Sequence, residues 1–181
     1  MAIGLSRENI VNGFSVRMRT TVALLLVGVA LPWTRAIAQP TLKDQIVGTW
    51  TYVSVDLVRP DGARVPLFGP NPQGRASFDG NGRYILMTAR AGQAKFGSTN
   101  RMKGTPDENK AVVQGSIAHF GRYTVDETNK TITFHIETST FPNWNGTEQK
   151  RPFTLTGDEL AWRTPASTGG GTAEVVLKRA K

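Results

Sequence analysis

Beyond residue 40 the chain is dominated by short stretches in which apolar and polar residues alternate, and the alternation is sharpest at 131–138. Side chains of a strand point to opposite faces in turn. Ile132, Phe134 and Ile136 therefore share one face, and Thr133, His135 and Glu137 share the other. The same period predicts strands over 48–58, 64–67, 75–79, 83–89, 120–126, 147–155, 159–163 and 172–179. In the first of these, Val53, Val55 and Leu57 alternate with Ser54 and Asp56. Turn chemistry separates the strands. Asp79-Gly80-Asn81-Gly82 is a strong hairpin signal, and Pro60-Asp61-Gly62, Glu127-Thr128-Asn129-Lys130 and Thr156-Gly157-Asp158 carry the residues that tight turns require.

One stretch breaks the period. Thr105-Pro106-Asp107-Glu108 has the N-cap, the first-turn proline and the acidic residue three after the cap that open a helix, expected to run to about 116–119. Val112, Val113 and Ile117 give it only a narrow apolar stripe, suited to covering a sheet or a barrel mouth. The preceding 90–104 is a long, basic, Gly-containing loop without period, and 41–45 reads as a short helical turn ahead of the first strand. Eight or nine strands joined mostly by tight turns predict an all-β fold. The expected form is an antiparallel up-and-down barrel of eight to nine strands with one short helix between strands four and five. A barrel of about eight strands either fills with side chains or holds one small ligand.

The N-terminal part reads differently. Arg17 and Arg19 precede an apolar run at 22–31, followed by Ala36-Ile37-Ala38. This is the pattern of a secretory signal, too short to span a bilayer, which takes ~20 residues. The expected organisation is a signal peptide and upstream extension over 1–38, with Met1 and Met18 both candidate starts, and one barrel domain over 39–181. Cleavage near Ala38 would export the domain to the periplasm or outside the cell.

Charge narrows the function classes. Removing Arg7, Arg17, Arg19, Arg35 and Glu8 leaves (22 − 4) − (14 − 1) = +5, a mildly basic domain. It has no Lys/Arg run and no aromatic–basic interleaving, so nucleic acid is not an expected partner. The absence of cysteine excludes disulfides, thiol catalysis and Cys-ligated metal. Two histidines without a carboxylate cluster predict no metal site, and no cofactor is expected.

Candidate chemistry gathers around 131–155. His135 lies two residues from Glu137, with Gln149 and Arg151 at the same step on the strand expected to pair with theirs. If all four face inward they form one polar patch in an apolar calyx. If they face water they are an ordinary outer surface, with a cross-strand ion pair worth little. Phe141-Pro142-Asn143-Trp144 is either a rim that touches ligand through Asn143 and Trp144 or a turn packed on the core. Tyr84, Met87 and Tyr123 are candidate cavity residues or plain core. His119 is read as the end of the helix, favoured by the dipole there.

Several of these motifs carry a family resemblance. Gly48-Thr49-Trp50 resembles the Gly-x-Trp signature of lipocalins, whose Trp plugs the closed end of a barrel against a basic residue of the last strand, here Arg179 or Lys178. Gly115-x-Ile117-Ala118-x-Phe120, Phe120-Gly121-Arg122-Tyr123, His135-x-Glu137, Pro142-Asn143-Trp144-x-Gly146 and Leu160-x-x-Arg163-Thr164-Pro165 look like the bacterial and fungal lipocalin-like domain family. The likeness covers 46–179. It implies a small β-barrel with an internal cavity, and no universal catalytic residue.

Three functions are compatible with these features. The leading one is a small-molecule binder holding a mostly apolar molecule with a polar or anionic end through His135, Glu137, Arg151, Asn143, Trp144, Tyr123, Gln149, Tyr84 and Met87. The second is an isomerase, dehydratase or cyclase with His135 as general acid or base, Glu137 orienting it and Arg151 stabilising an oxyanion. The third is a structural or interaction protein with a filled barrel.

Overall fold

The computed structural model describes residues 39–165, 167–168 and 170–181. The expected signal segment 1–38 lies outside the described residues. The strands are β1 (Gly48–Val58), β2 (Arg64–Pro66), β3 (Gln73–Phe78), β4 (Arg83–Ala89), β5 (Ser116–Asp126), β6 (Thr131–Ser139), β7 (Glu148–Thr156), β8 (Glu159–Thr164) and β9 (Thr172–Arg179). Helix α1 (Leu42–Ile46) precedes β1, and α2 (Pro106–Gly115) lies between β4 and β5. All pairings are antiparallel, and β1 also pairs with β9. β1 and β3–β9 thus close an eight-stranded barrel, with β2 as a short extra strand on the far half of β1. Closure removes the open edges that a flat sheet of this size would expose.

The core follows the pleat. Phe78, Tyr84, Leu86, Tyr123, Ile132, Phe134, Ile136, Phe153, Leu160, Trp162, Val175 and Leu177 all point inward and are at most 5 % exposed. The edge-to-face aromatic group of Phe78, Tyr84, Tyr123, Phe134 and Trp162 fills the middle of the barrel.

One end is sealed. Trp50 is fully buried and donates its indole N–H to the Ile46 carbonyl at 2.8 Å. The Arg179 guanidinium lies 4.2 Å from the Trp50 ring centre and donates to the Val47 and Gln45 carbonyls, tying β9 to the end of α1. Glu127, from the β5–β6 turn, accepts from the first two backbone N–H groups of α1. These are donors a short helix cannot satisfy internally.

Two departures from simple alternation matter for the site. A β-bulge in β1 at Tyr52/Ser54 shifts the phase of the strand. Tyr52 and Val55 are therefore buried and Val53 is 43 % exposed, where unbroken alternation puts Val53 on the apolar face. Secondly, α2 stops at Gly115, earlier than expected, and β5 begins at Ser116. His119 is thus a strand residue inside the barrel and not a helix terminus.

Candidate functional site

The open end of the barrel is framed by Leu67–Phe68, by α2 and the start of β5, by the 140–144 connection and by Ser167 and Thr168. Within it lies a cavity of about 60 Å³ whose wall includes Tyr52, Thr88, His119, Trp144, Arg151 and Trp162. The apolar part of the lining comes from Val55, Leu86, Ala173 and Val175.

Arg151 dominates this cavity. Strand β7 alternates Gln149, Arg151, Phe153 and Leu155 inward against Glu148, Lys150 and Pro152 outward. Register pairs Arg151 with Ile132 and Gln149 with Phe134, the apolar face of β6. Arg151 is 4 % exposed, and its guanidinium sits 4.5 Å from the Phe134 ring centre and 5.8 Å from that of Trp162 and donates to the Gln149 side-chain oxygen at 2.6 Å. No carboxylate among the described residues pairs with it, and its Nε–H has no acceptor. Burial lowers its pKa to about 10, so the charge persists at neutral pH.

Other polar groups around it are buried as well. Trp162 Nε1 and Thr88 Oγ1 are buried without a hydrogen-bond partner. His119, 3 % exposed, stands with Nε2 3.5 Å from Arg151 Nη2 and Nδ1 2.7 Å from the Tyr84 hydroxyl. Burial, and then the neighbouring Arg151 charge, push its pKa down to about 2, so His119 is neutral. Burial raises the Tyr52 and Tyr84 hydroxyls well above the usual tyrosine range.

The sequence-predicted residues divide. Arg151, Gln149, Tyr84 and Trp144 come together at this cavity or in the wall behind it. Trp144 sits edge-on to His119 at 5.5 Å in a 3-10 turn at Pro142–Trp144. Tyr123 is buried deeper, and its hydroxyl donates to the Asp79 carbonyl of the β3–β4 turn.

His135 and Glu137 do not join them. They project outward, because Ile132, Phe134 and Ile136 occupy the inward phase of β6. His135 bonds through Nδ1 to Glu148 at 2.8 Å, and Glu137 faces Arg83 at 3.6 Å and Arg122 at 3.9 Å. The four-residue polar patch is thus split by the barrel wall, and the route to catalysis through His135 loses its access to the cavity. Met87 is 54 % exposed on the outer face of β4, and Asn143 is exposed at the mouth. Asn145 holds the connection instead, accepting from the Ser139 backbone N–H at 2.7 Å. Among the described residues no cluster of His, Asp or Glu is placed to hold a metal ion.

His119 and Tyr52 are what sequence reasoning missed. The signal for His119 was present: it shares phase with Gly121 and Tyr123 once β5 is extended back to Ser116. The bulge concealed Tyr52.

A closed eight-stranded barrel sealed by a Gly-x-Trp tryptophan under a basic residue of the last strand, with a cavity at the other end, matches a lipocalin-like domain over residues 47–180. The chain belongs to the lipocalin-like domain family. A curated relative is the 4'-hydroxy-3'-methoxypropiophenone carrier protein of Aspergillus oryzae (strain ATCC 42149 / RIB 40), 28 % identical over 81 residues, which are 41 % of this chain and 73 % of that protein. Membership of this lipocalin-like family and a carrier among its relatives support small-molecule binding in general.

Proposed function

We propose that this lipocalin-like barrel binds a small, mostly apolar, ring-containing molecule at its open end, with the polar or anionic end held in the cavity by Arg151. The observation that carries the reading is the buried guanidinium. A cation withdrawn from water costs several kcal/mol unless something compensates it, and the described residues around Arg151 supply aromatic faces and a neutral amide but no anion. A ligand oxygen would complete the shell. The aromatic lining from Trp144, Trp162 and Tyr52 favours a planar ring. The carrier named for an oxygenated aryl ketone is consistent in ligand class.

The test is a fluorescence titration with single-ring aromatic acids, phenols and ketones, since Trp144 and Trp162 both border the cavity. Ala173→Leu, which fills the cavity from β9, should weaken binding about tenfold or more without loss of the folded state. His135→Ala, on the outer wall, should leave affinity within about twofold, because an exposed pair contributes little. Equal affinities in the wild type and Ala173→Leu would place the ligand elsewhere and end the reading.

The reading includes export. The pattern at 17–38 supports a leader removed before the barrel works. Intact mass of protein recovered from its host outside the cytoplasm should begin near Gln39; a chain retaining Arg17 and Arg19 would refute it.

A further inference from the structure

The cavity is too small for more than a head group, yet it does not end at the mouth. Leu67, Phe68, Ile117 and Thr168 line both the cavity and a second cleft of about 490 Å³. The far wall of that cleft is Val112 and Val113 of α2, with Phe141 beside it. Val113 is 75 % exposed, and Val112 and Val113 give α2 an apolar surface toward the cleft, beside Gln114, without burying it in the core. The two spaces thus form one path, polar at the inner end and apolar at the outer.

The inner end is rich in hydrogens without an acceptor. Arg151 Nε–H, Trp162 Nε1–H and the Thr88 hydroxyl have no partner. The His119–Tyr84 pair adds one more hydrogen. Arg151 Nη2 can only donate, so His119 Nε2 accepts from it at 3.5 Å, Nδ1–H donates to Tyr84, and the phenolic hydrogen is left over. The one side-chain amide oxygen nearby, Gln149 Oε1, is already engaged by Arg151. Unsatisfied hydrogens around a buried cation fit a group with two acceptor oxygens and a negative charge. A neutral amide or alcohol would leave that charge without a counter-ion.

Resting on the binding function proposed above, we infer that the ligand is an amphipathic carboxylate bound head first, its carboxylate on Arg151 and its apolar body running out through the mouth into the α2 cleft. The head group is already charged at neutral pH, and no cavity group needs to titrate to receive it. His119 stays neutral on β5, Tyr52 and Tyr84 stay protonated on β1 and β4, and Arg151 stays charged on β7.

The experiment is calorimetric titration with phenylacetate, phenylbutanoate and phenylhexanoate, and with their primary amides. Each acid should bind about tenfold or more tighter than its amide. Affinity should rise about three- to fourfold for each methylene that enters the cleft, and Val112→Ser/Val113→Ser should flatten that rise while leaving phenylacetate unchanged. Amides binding as well as acids, or a chain-length gain that survives the double substitution, overturns the inference. If neutral ring ketones bind and acids do not, the inference falls alone; if no compound binds, it falls together with the proposed function.

Discussion

Arg151→Met is expected to yield a more stable protein that no longer holds an anion. The two effects come from one cause. In the barrel the guanidinium is buried beside Phe134, Trp162, Gln149 and a neutral histidine. Burial lowers its pKa below the usual guanidinium range, to about 10. Read at 1.36 kcal/mol per unit, that is a cost on the order of 3 kcal/mol for keeping the charge inside. Cation–π contact with Phe134 and Trp162 returns on the order of 1–2 kcal/mol. Methionine fills a similar volume, packs on the same rings and leaves no charge to solvate. Urea unfolding of the free protein should therefore show a gain of about 1–3 kcal/mol, in the range found when buried charges are replaced by apolar residues. Affinity for an aromatic acid should drop about a hundredfold or more, because charge-assisted hydrogen bonds to a buried cation are lost together. A loss of stability of similar size would show that Arg151 is a structural strut and remove the main support for an anion-binding cavity.

The second large effect is a dependence of stability on pH, set by His119. Burial and the adjacent Arg151 hold its pKa at about 2, against 6.5 for the free side chain. Above pH 6.5 both folded and unfolded chains carry this residue neutral. Below it the unfolded chain takes up a proton that the folded chain refuses, so stability falls as pH falls. The loss is about 1.4 kcal/mol for each pH unit between 6.5 and about 2. Between pH 7 and pH 4.5 it amounts to roughly 2–3 kcal/mol from this one residue. His119→Gln keeps a hydrogen-bonding partner for Tyr84 and cannot titrate. Unfolding midpoints at the two pH values, at constant ionic strength, should differ less in the variant by about that amount. Parallel curves for the two proteins would mean that His119 is accessible to protons in the folded state.

Most of the barrel was legible in the sequence because its strands obey the pleat one at a time. Turn residues mark where each ends, and β1 and β9 have the ends expected from alternation alone. Legibility failed where a decision depended on two strands at once. His135 and Arg151 look like partners when placed side by side on paired strands. Each strand read alone separates them, since Arg151 keeps phase with Phe153 and Leu155, while His135 opposes Phe134 and Ile136. A basic residue in the apolar phase of a strand is the stronger sign of a site than a histidine in the polar phase. Tyr52 keeps phase with the buried Trp50, but the bulge after it moves Val55 to the opposite phase, so the strand read from Val55 and Leu57 puts Tyr52 outside. His119 was lost to a boundary: a helix extended by one turn consumed the first residues of β5.

The seal of Trp50, Arg179, α1 and Glu127 has a consequence of its own. It fixes the first and last strands against each other at the end of the barrel opposite the cavity. The segments that shape the mouth, 67–68, 112–117, 140–144 and 167–168, contribute nothing to that lock. Change there can alter what the barrel binds while the strands stay in register, so binding preference can diverge faster than architecture. A library randomised at the mouth would sample new ligands on an unchanged frame.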